Sequence, residues 1–256
     1  MPKALFELLF LPLTVVILLL ILVAPLIIVY LFLRLSETAF EMVGFSHWHA
    51  TLAVFGSILG SLVDFQLIEE PISSYPEWYV SLMSLTAQDT ATTFHPVYLA
   101  VNLGGCIIPL FISAHLLLRG RVSPKKALLG MAVVAAITYW AAQAIAGEGI
   151  VLPVWLSPLL AAAMGLLLAS GFRRAPPLAY ISGTLGTLIG ADLLSLLTPG
   201  ILPALSPLEL HQAKPLVLSI GGAGVFDGIF LTGIIAVLLA AGIVCLLRGN
   251  CKEERR

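Results

Sequence analysis

The sequence predicts an all-α fold: a polytopic membrane helix bundle of about seven transmembrane helices, forming one integral membrane domain over residues 1–256. Three observations predict it. Of 256 residues, 59% are hydrophobic and 11% charged, with a mean hydropathy of +1.05, whereas soluble domains are about 45–50% apolar and about 25% charged. Apolar windows of spanning length recur along the chain, and the cations between them fall on alternate connectors. Seven spans of roughly 20–25 residues leave no stretch for a separate soluble domain, which excludes a soluble enzyme or a nucleic-acid reader.

The first run, 8–33, exceeds the core of a cleavable signal peptide and lacks a small-residue cleavage site, so it reads as the first span. Further windows lie at about 45–65, 98–118, 127–147, 150–171, 177–197 and 217–247. Short links between the fourth, fifth and sixth suit antiparallel neighbours, because helices satisfy their own backbone groups in lipid. Cys106, Cys245 and Cys251 give no disulfide framework.

Charge sets the expected orientation. Arg34, then Arg119, Arg121, Lys125 and Lys126, then Arg173 and Arg174, then the basic tail 248–256 share one side if the spans alternate, with Lys3 and Lys214 opposite. The positive-inside rule then places the N-terminus outside and the C-terminus in the cytoplasm of a multi-pass cell-membrane protein. The longest connector, 65–96, falls outside and carries Glu69, Glu70, Glu77 and Asp89 with no Lys or Arg. Two readings stand for it: an interfacial cap with Tyr75, Trp78 and Tyr79 at headgroup level, or a lid or docking edge with a strand from 86–94.

A faint repeat organises the rest. Gly56-Ser57-Ile58-Leu59-Gly60-Ser61, followed by Asp64, matches Gly186-Thr187-Leu188-Ile189-Gly190-Ala191, followed by Asp192, at an offset of 130. Asn102-Leu103-Gly104-Gly105 matches Ser219-Ile220-Gly221-Gly222 at an offset of 117. One reading is an internal duplication about an axis along the membrane normal; the other is small-x-x-x-small spacing used twice for close helix packing. Under either, Gly221, Gly222 and Gly224 weaken the start of the seventh span, by roughly 1 kcal/mol each relative to alanine.

Most of the fourteen acids lie in loops or tails. Asp192 and Asp227 stand inside apolar stretches, and Asp64 at the outer end of the second span. An acid near the bilayer centre costs about 2.5–3.5 kcal/mol on insertion scales and is a functional candidate by default. Counting helical rise inward from Pro177 and from Val217, Asp192 and Asp227 come within about 7 Å of the same depth. Two carboxyls held close would share a proton, the state an aspartyl hydrolase uses. The plainer reading is that each bonds backbone or neighbours such as Thr187, Ser195 or Ser219.

The run 219–233, holding Ser219-Ile220-Gly221-Gly222 and Phe226-Asp227-Gly228, resembles an uncharacterised prokaryotic multi-pass membrane family, domain of unknown function 1614. Gly190-Ala191-Asp192 and Asn102-Leu103-Gly104-Gly105 extend the similarity over about 44–247. More distantly, the two acids and Pro203-Ala204-Leu205 are similar to the presenilin and signal-peptide-peptidase type of intramembrane aspartyl protease, although Ala191 replaces that group's tyrosine and Asp227 stands three residues beyond Gly224. That likeness implies Asp192 and Asp227 as catalytic acids.

Three functions remain open. A hydrolase or protease would act on a transmembrane helical peptide through Asp192 and Asp227, supported by Gly190, Gly221, Gly222, Gly224, Gly228, Asn102 and Asp64. A secondary transporter or ion-coupled carrier would use the same midplane acids for a small solute. A noncatalytic scaffold would use neither. His47, His49, His95, His115 and His211 form no metal-ligand spacing, no cofactor motif occurs, and the expected partner common to all three is the lipid bilayer.

Overall fold

A computed structural model of the chain describes residues 3–67, 97–145, 149–198, 201, 216–222 and 228–248. Among these, seven helical segments account for most of the fold. They are α1 (Lys3–Val43), α2 (His47–Gly60), α3 (Ile108–Leu118, entered through a π-helical turn Leu103–Ile107), α4 (Pro124–Ala141), α5 (Leu156–Leu168), α6 (Ala175–Thr187) and α7 (Gly228–Arg248). A π-helical stretch, Leu188–Leu194, and a last turn, Ser195–Leu197, extend α6.

Three of these bodies are long and apolar enough to cross a membrane: Val15–Val43, Phe172–Leu197 and Gly228–Leu247. Leu103–Leu118 and Leu156–Leu168 are apolar but shorter. The reason is that several expected spans do not stay helical to their ends, so the fold is mostly helical rather than all-α. Strands replace the missing turns: β1 (Asp64–Gln66), β2 (Val97–Asn102), β3 (Gln143–Ile145), β4 (Gly149–Val151) and β5 (Leu216–Ile220). Short apolar runs carry no periodicity that separates a buried strand from a buried helix; here Pro96 and Pro215 bound two of them, and pairing with distant segments decides.

Strand order in the larger sheet is β1-β2-β5. β1 runs antiparallel to β2 with Asp64 opposite Asn102, and β2 runs parallel to β5 from Val97–Leu216 to Val101–Ile220. β3 and β4 form a hairpin whose Ala144 and Ile150 pack with Leu99 and Leu218 of the sheet. All five strands follow or precede helices at the same end of the bundle. At the opposite end the connectors converge: Arg121 donates to the Gly44 carbonyl at 3.5 Å, and Lys126 donates to the Ser170 hydroxyl.

The core centres on α6, buried along its whole length from Ala175 to Thr187. Its small residues admit three neighbours. A Cβ on Gly186 would lie 2.7 Å from Val134 of α4, and one on Gly183 would lie 2.8 Å from Ala161 of α5. On the third side, a Cβ on Gly233 of α7 would lie 2.7 Å from Thr184. Close backbone approach of this kind is how helices associate where lipid removes the hydrophobic drive between them. Phe40 of α1 packs on Tyr180 and Phe230, with ring centroids 5.6 and 6.4 Å away. Farther toward its N-terminus α1 leaves the bundle, and Leu18, Ile21 and Leu22 are two-thirds exposed. Cys245, near the end of α7, is disulfide-bonded, which the sequence did not suggest. The expected strand at 86–94, most of the loop 65–96 and the tail beyond Arg248 lie outside the described residues.

Candidate functional site

Where the sheet meets the helices, four polar side chains gather. Asn102 ends β2, is fully buried, and caps the π-helical turn: its Oδ1 accepts from the Gly105 N–H at 2.9 Å. Its Nδ2 donates to the Ser61 carbonyl at 2.9 Å and to Asp64 Oδ1 at 3.0 Å. Every hydrogen-bonding atom of that amide is thereby used, as a buried amide requires. The Ser219 hydroxyl of β5 donates to the same Asp64 oxygen at 2.5 Å. Asp64, Asn102 and Ser219 share one face of the sheet, because Asp64 faces Asn102, Ala100 faces Ser219, and residues two apart on a strand point alike.

Asp192 arrives from the other side, half-buried in the π-helical stretch after α6. Its Oδ2 accepts the Gly221 N–H at 2.7 Å. Gly221 and Gly222 follow β5 with φ of +98° and +88°, a conformation L residues with side chains rarely adopt. A Cβ on Gly221 would also lie 2.6 Å from the Cys106 backbone nitrogen, so glycine is needed there twice over. Gly60 approaches the Gly104 nitrogen to 3.0 Å by the same measure, which seats α2 against the π turn. Both acids thus bind β5 two residues apart, at Ser219 and Gly221. That spacing is about 7 Å along a strand.

The expected site residues divide accordingly. Asp64, Asn102, Gly221, Gly222 and Asp192 come together. Gly190 packs instead on the Ala135 backbone and Thr138 of α4, so it positions the π stretch from behind. Gly228 has nothing within 4 Å of a built Cβ and no packing role. Asp227 and Gly224 lie outside the described residues. The equal depth expected for Asp227 and Asp192 requires a helix from Val217, whereas Leu216–Ile220 is a strand. Ser219, read from sequence as a neighbour of a buried aspartate, is the donor to Asp64. The signal for it was its match to Asn102 in the 117-residue repeat.

Of the histidines, His47 pairs with Glu41 at 2.8 Å, the His49 ring bonds Ser46 at 2.6 Å, and His115 stacks on Phe45. All three lie away from the strands. His95 and His211 are outside the described residues.

A family model described as "Protein of unknown function (DUF1614)" matches residues 58–239. The chain belongs to the DUF1614 family. That match runs from the last turn of α2 into α7, so the whole Asp64–Asn102–Ser219–Asp192 constellation is DUF1614 sequence. No curated protein and no solved structure matches the chain, and neither comparison adds support to the more distant likeness to presenilin-type proteases.

Proposed function

We propose that the protein is a multi-pass cell-membrane carrier for a small solute, coupled to a proton or other cation, with Asp192 as the exchanging acid. One observation carries this reading. Asn102 and Ser219, equivalent in the internal repeat, each end or nearly end a strand that gives way to a glycine pair, and both side chains converge on one oxygen of Asp64. Two halves with interrupted helices, joined through a shared acid at the repeat interface, resemble the arrangement secondary transporters use. Parallel pairing of β2 with β5 fits a duplication about an axis along the membrane normal. In this reading the connectors bearing Arg119 to Lys126, Arg173 and Arg174 face the cytoplasm.

Asp192 rather than Asp64 is assigned the exchanging role on bonding grounds. Asp64 Oδ1 already holds two donors that tie the halves together. Asp192 holds one backbone N–H and stands in a π-helical stretch, a local geometry frequent at functional sites. It can gain or lose a proton with less disturbance.

The test is purified protein in liposomes carrying an internal pH-sensitive dye. Candidate solutes that drive proton movement should do so with wild type, and Asp192→Asn should reduce the flux at least about tenfold. Cleavage of a transmembrane helical peptide by wild type, lost in Asp192→Asn and Asp227→Asn, would instead establish a paired-acid hydrolase. Wild-type behaviour of both variants in both assays would leave a scaffold.

A further inference from the structure

The geometry points to a binding surface for anionic phospholipid headgroups at the end of the bundle opposite the strands. It is independent of the role of Asp192. Three connectors meet there: Lys126 at the start of α4 bonds Ser170 just before α6, and Arg121 reaches across to the Gly44 carbonyl of the α1–α2 turn. Arg119, Arg121, Lys125, Lys126, Arg173 and Arg174 are thereby gathered on one face, five of them exposed. Among the described residues none of the six is ion-paired, and the described acids at this end, Glu37 and Glu41, pair with Arg34 and His47.

Four of these cations stand where local electrostatics disfavours them. Lys125 and Lys126 occupy the first turn of α4, Arg173 and Arg174 immediately precede α6, and neither helix has an acid in its first turn. Helix starts are electropositive and favour anions, so the helix ends add to the side-chain charge instead of offsetting it. An anion bound from outside relieves that field.

The surroundings select the kind of anion. Leu118, 88% exposed, directly precedes Arg119; exposed Leu128 and Leu129 follow Lys126, and exposed Leu167 and Phe172 flank the α5–α6 connector. Cations bordered by a bare apolar surface match a phosphate joined to acyl chains, whereas a soluble polyanion would leave the apolar border uncovered.

Native mass spectrometry of the detergent-solubilised full chain, titrated with short-chain phosphatidylglycerol or with phosphatidylcholine of equal chain length, tests the proposal. Phosphatidylglycerol should be retained about tenfold more strongly, and less so as salt is raised. Lys125→Gln with Lys126→Gln, and Arg173→Gln with Arg174→Gln, should each reduce the preference, and the four together should abolish it. Arg34→Gln, a cation already paired with Glu37, should leave it unchanged. Equal retention of the two lipids overturns the proposal, as does a preference that survives all four substitutions in protein with wild-type melting behaviour. Displacement of the lipid by equimolar inorganic phosphate also overturns it, since the ligand would then be free phosphate.

Discussion

Gly221 is where backbone conformation and close approach constrain the same atom. Its φ of +98° and the 2.6 Å separation between a built Cβ and the Cys106 nitrogen both oppose a side chain. Gly221→Ala is expected to destabilise the protein by about 2 kcal/mol or more, from left-handed strain plus displaced backbone. Thermal unfolding in detergent measures this, with Gly228→Ala as the control that should melt like wild type; equal melting of the two variants refutes the account. The sequence announced a break at Gly221-Gly222, because adjacent glycines favour neither helix nor strand interior. What it could not announce was that the break follows a strand. Asn102 was legible as a candidate through its match to Ser219 and through the family resemblance, but not its bonds, since the Ser61 carbonyl and Asp64 are placed by the turn after α2, which residue type does not specify.

Among the elements, α6 is the one whose close packing, though not the identity of its partners, was readable in advance. Gly186 and Gly190, spaced for close approach, lie against Val134 and the Ala135 backbone of α4. Gly186→Leu should force α4 away from α6, costing about 1–3 kcal/mol as overpacking of a filled core does. A melting temperature within error of wild type would show that α4 is not seated as described. The strands were not readable. Residues 97–102 and 216–220 lie at the ends of long apolar windows, and each becomes a strand because the other is present to pair with it. Helical propensity is local, whereas that pairing is a property of two segments 119 positions apart, by subtraction of Val97 from Leu216.

For the whole molecule, membrane character was plain from composition, while the number of full-length spans was not. Helices interrupted by strands are too short to meet a hydropathy count: α5 has thirteen residues and α2 fourteen. Alternation of the cations nevertheless anticipated that the α1–α2, α3–α4 and α5–α6 connectors share one end, as the Arg121–Gly44 and Lys126–Ser170 bonds require. Placing a cysteine at Ser123 and, separately, at Gln143 of a chain whose Cys106, Cys245 and Cys251 are replaced by serine tests the orientation. A membrane-impermeant thiol reagent added to intact cells should modify the residue-143 variant only, and modification of both from outside would refute a cytoplasmic basic end. Parallel pairing of β2 with β5 also bears on biogenesis. At roughly 5–20 residues per second, β2 leaves the ribosome on the order of ten seconds before its partner exists. During that interval its edge is open to a neighbouring nascent chain, so an insertase or chaperone that shields it would govern yield more than the final stability does.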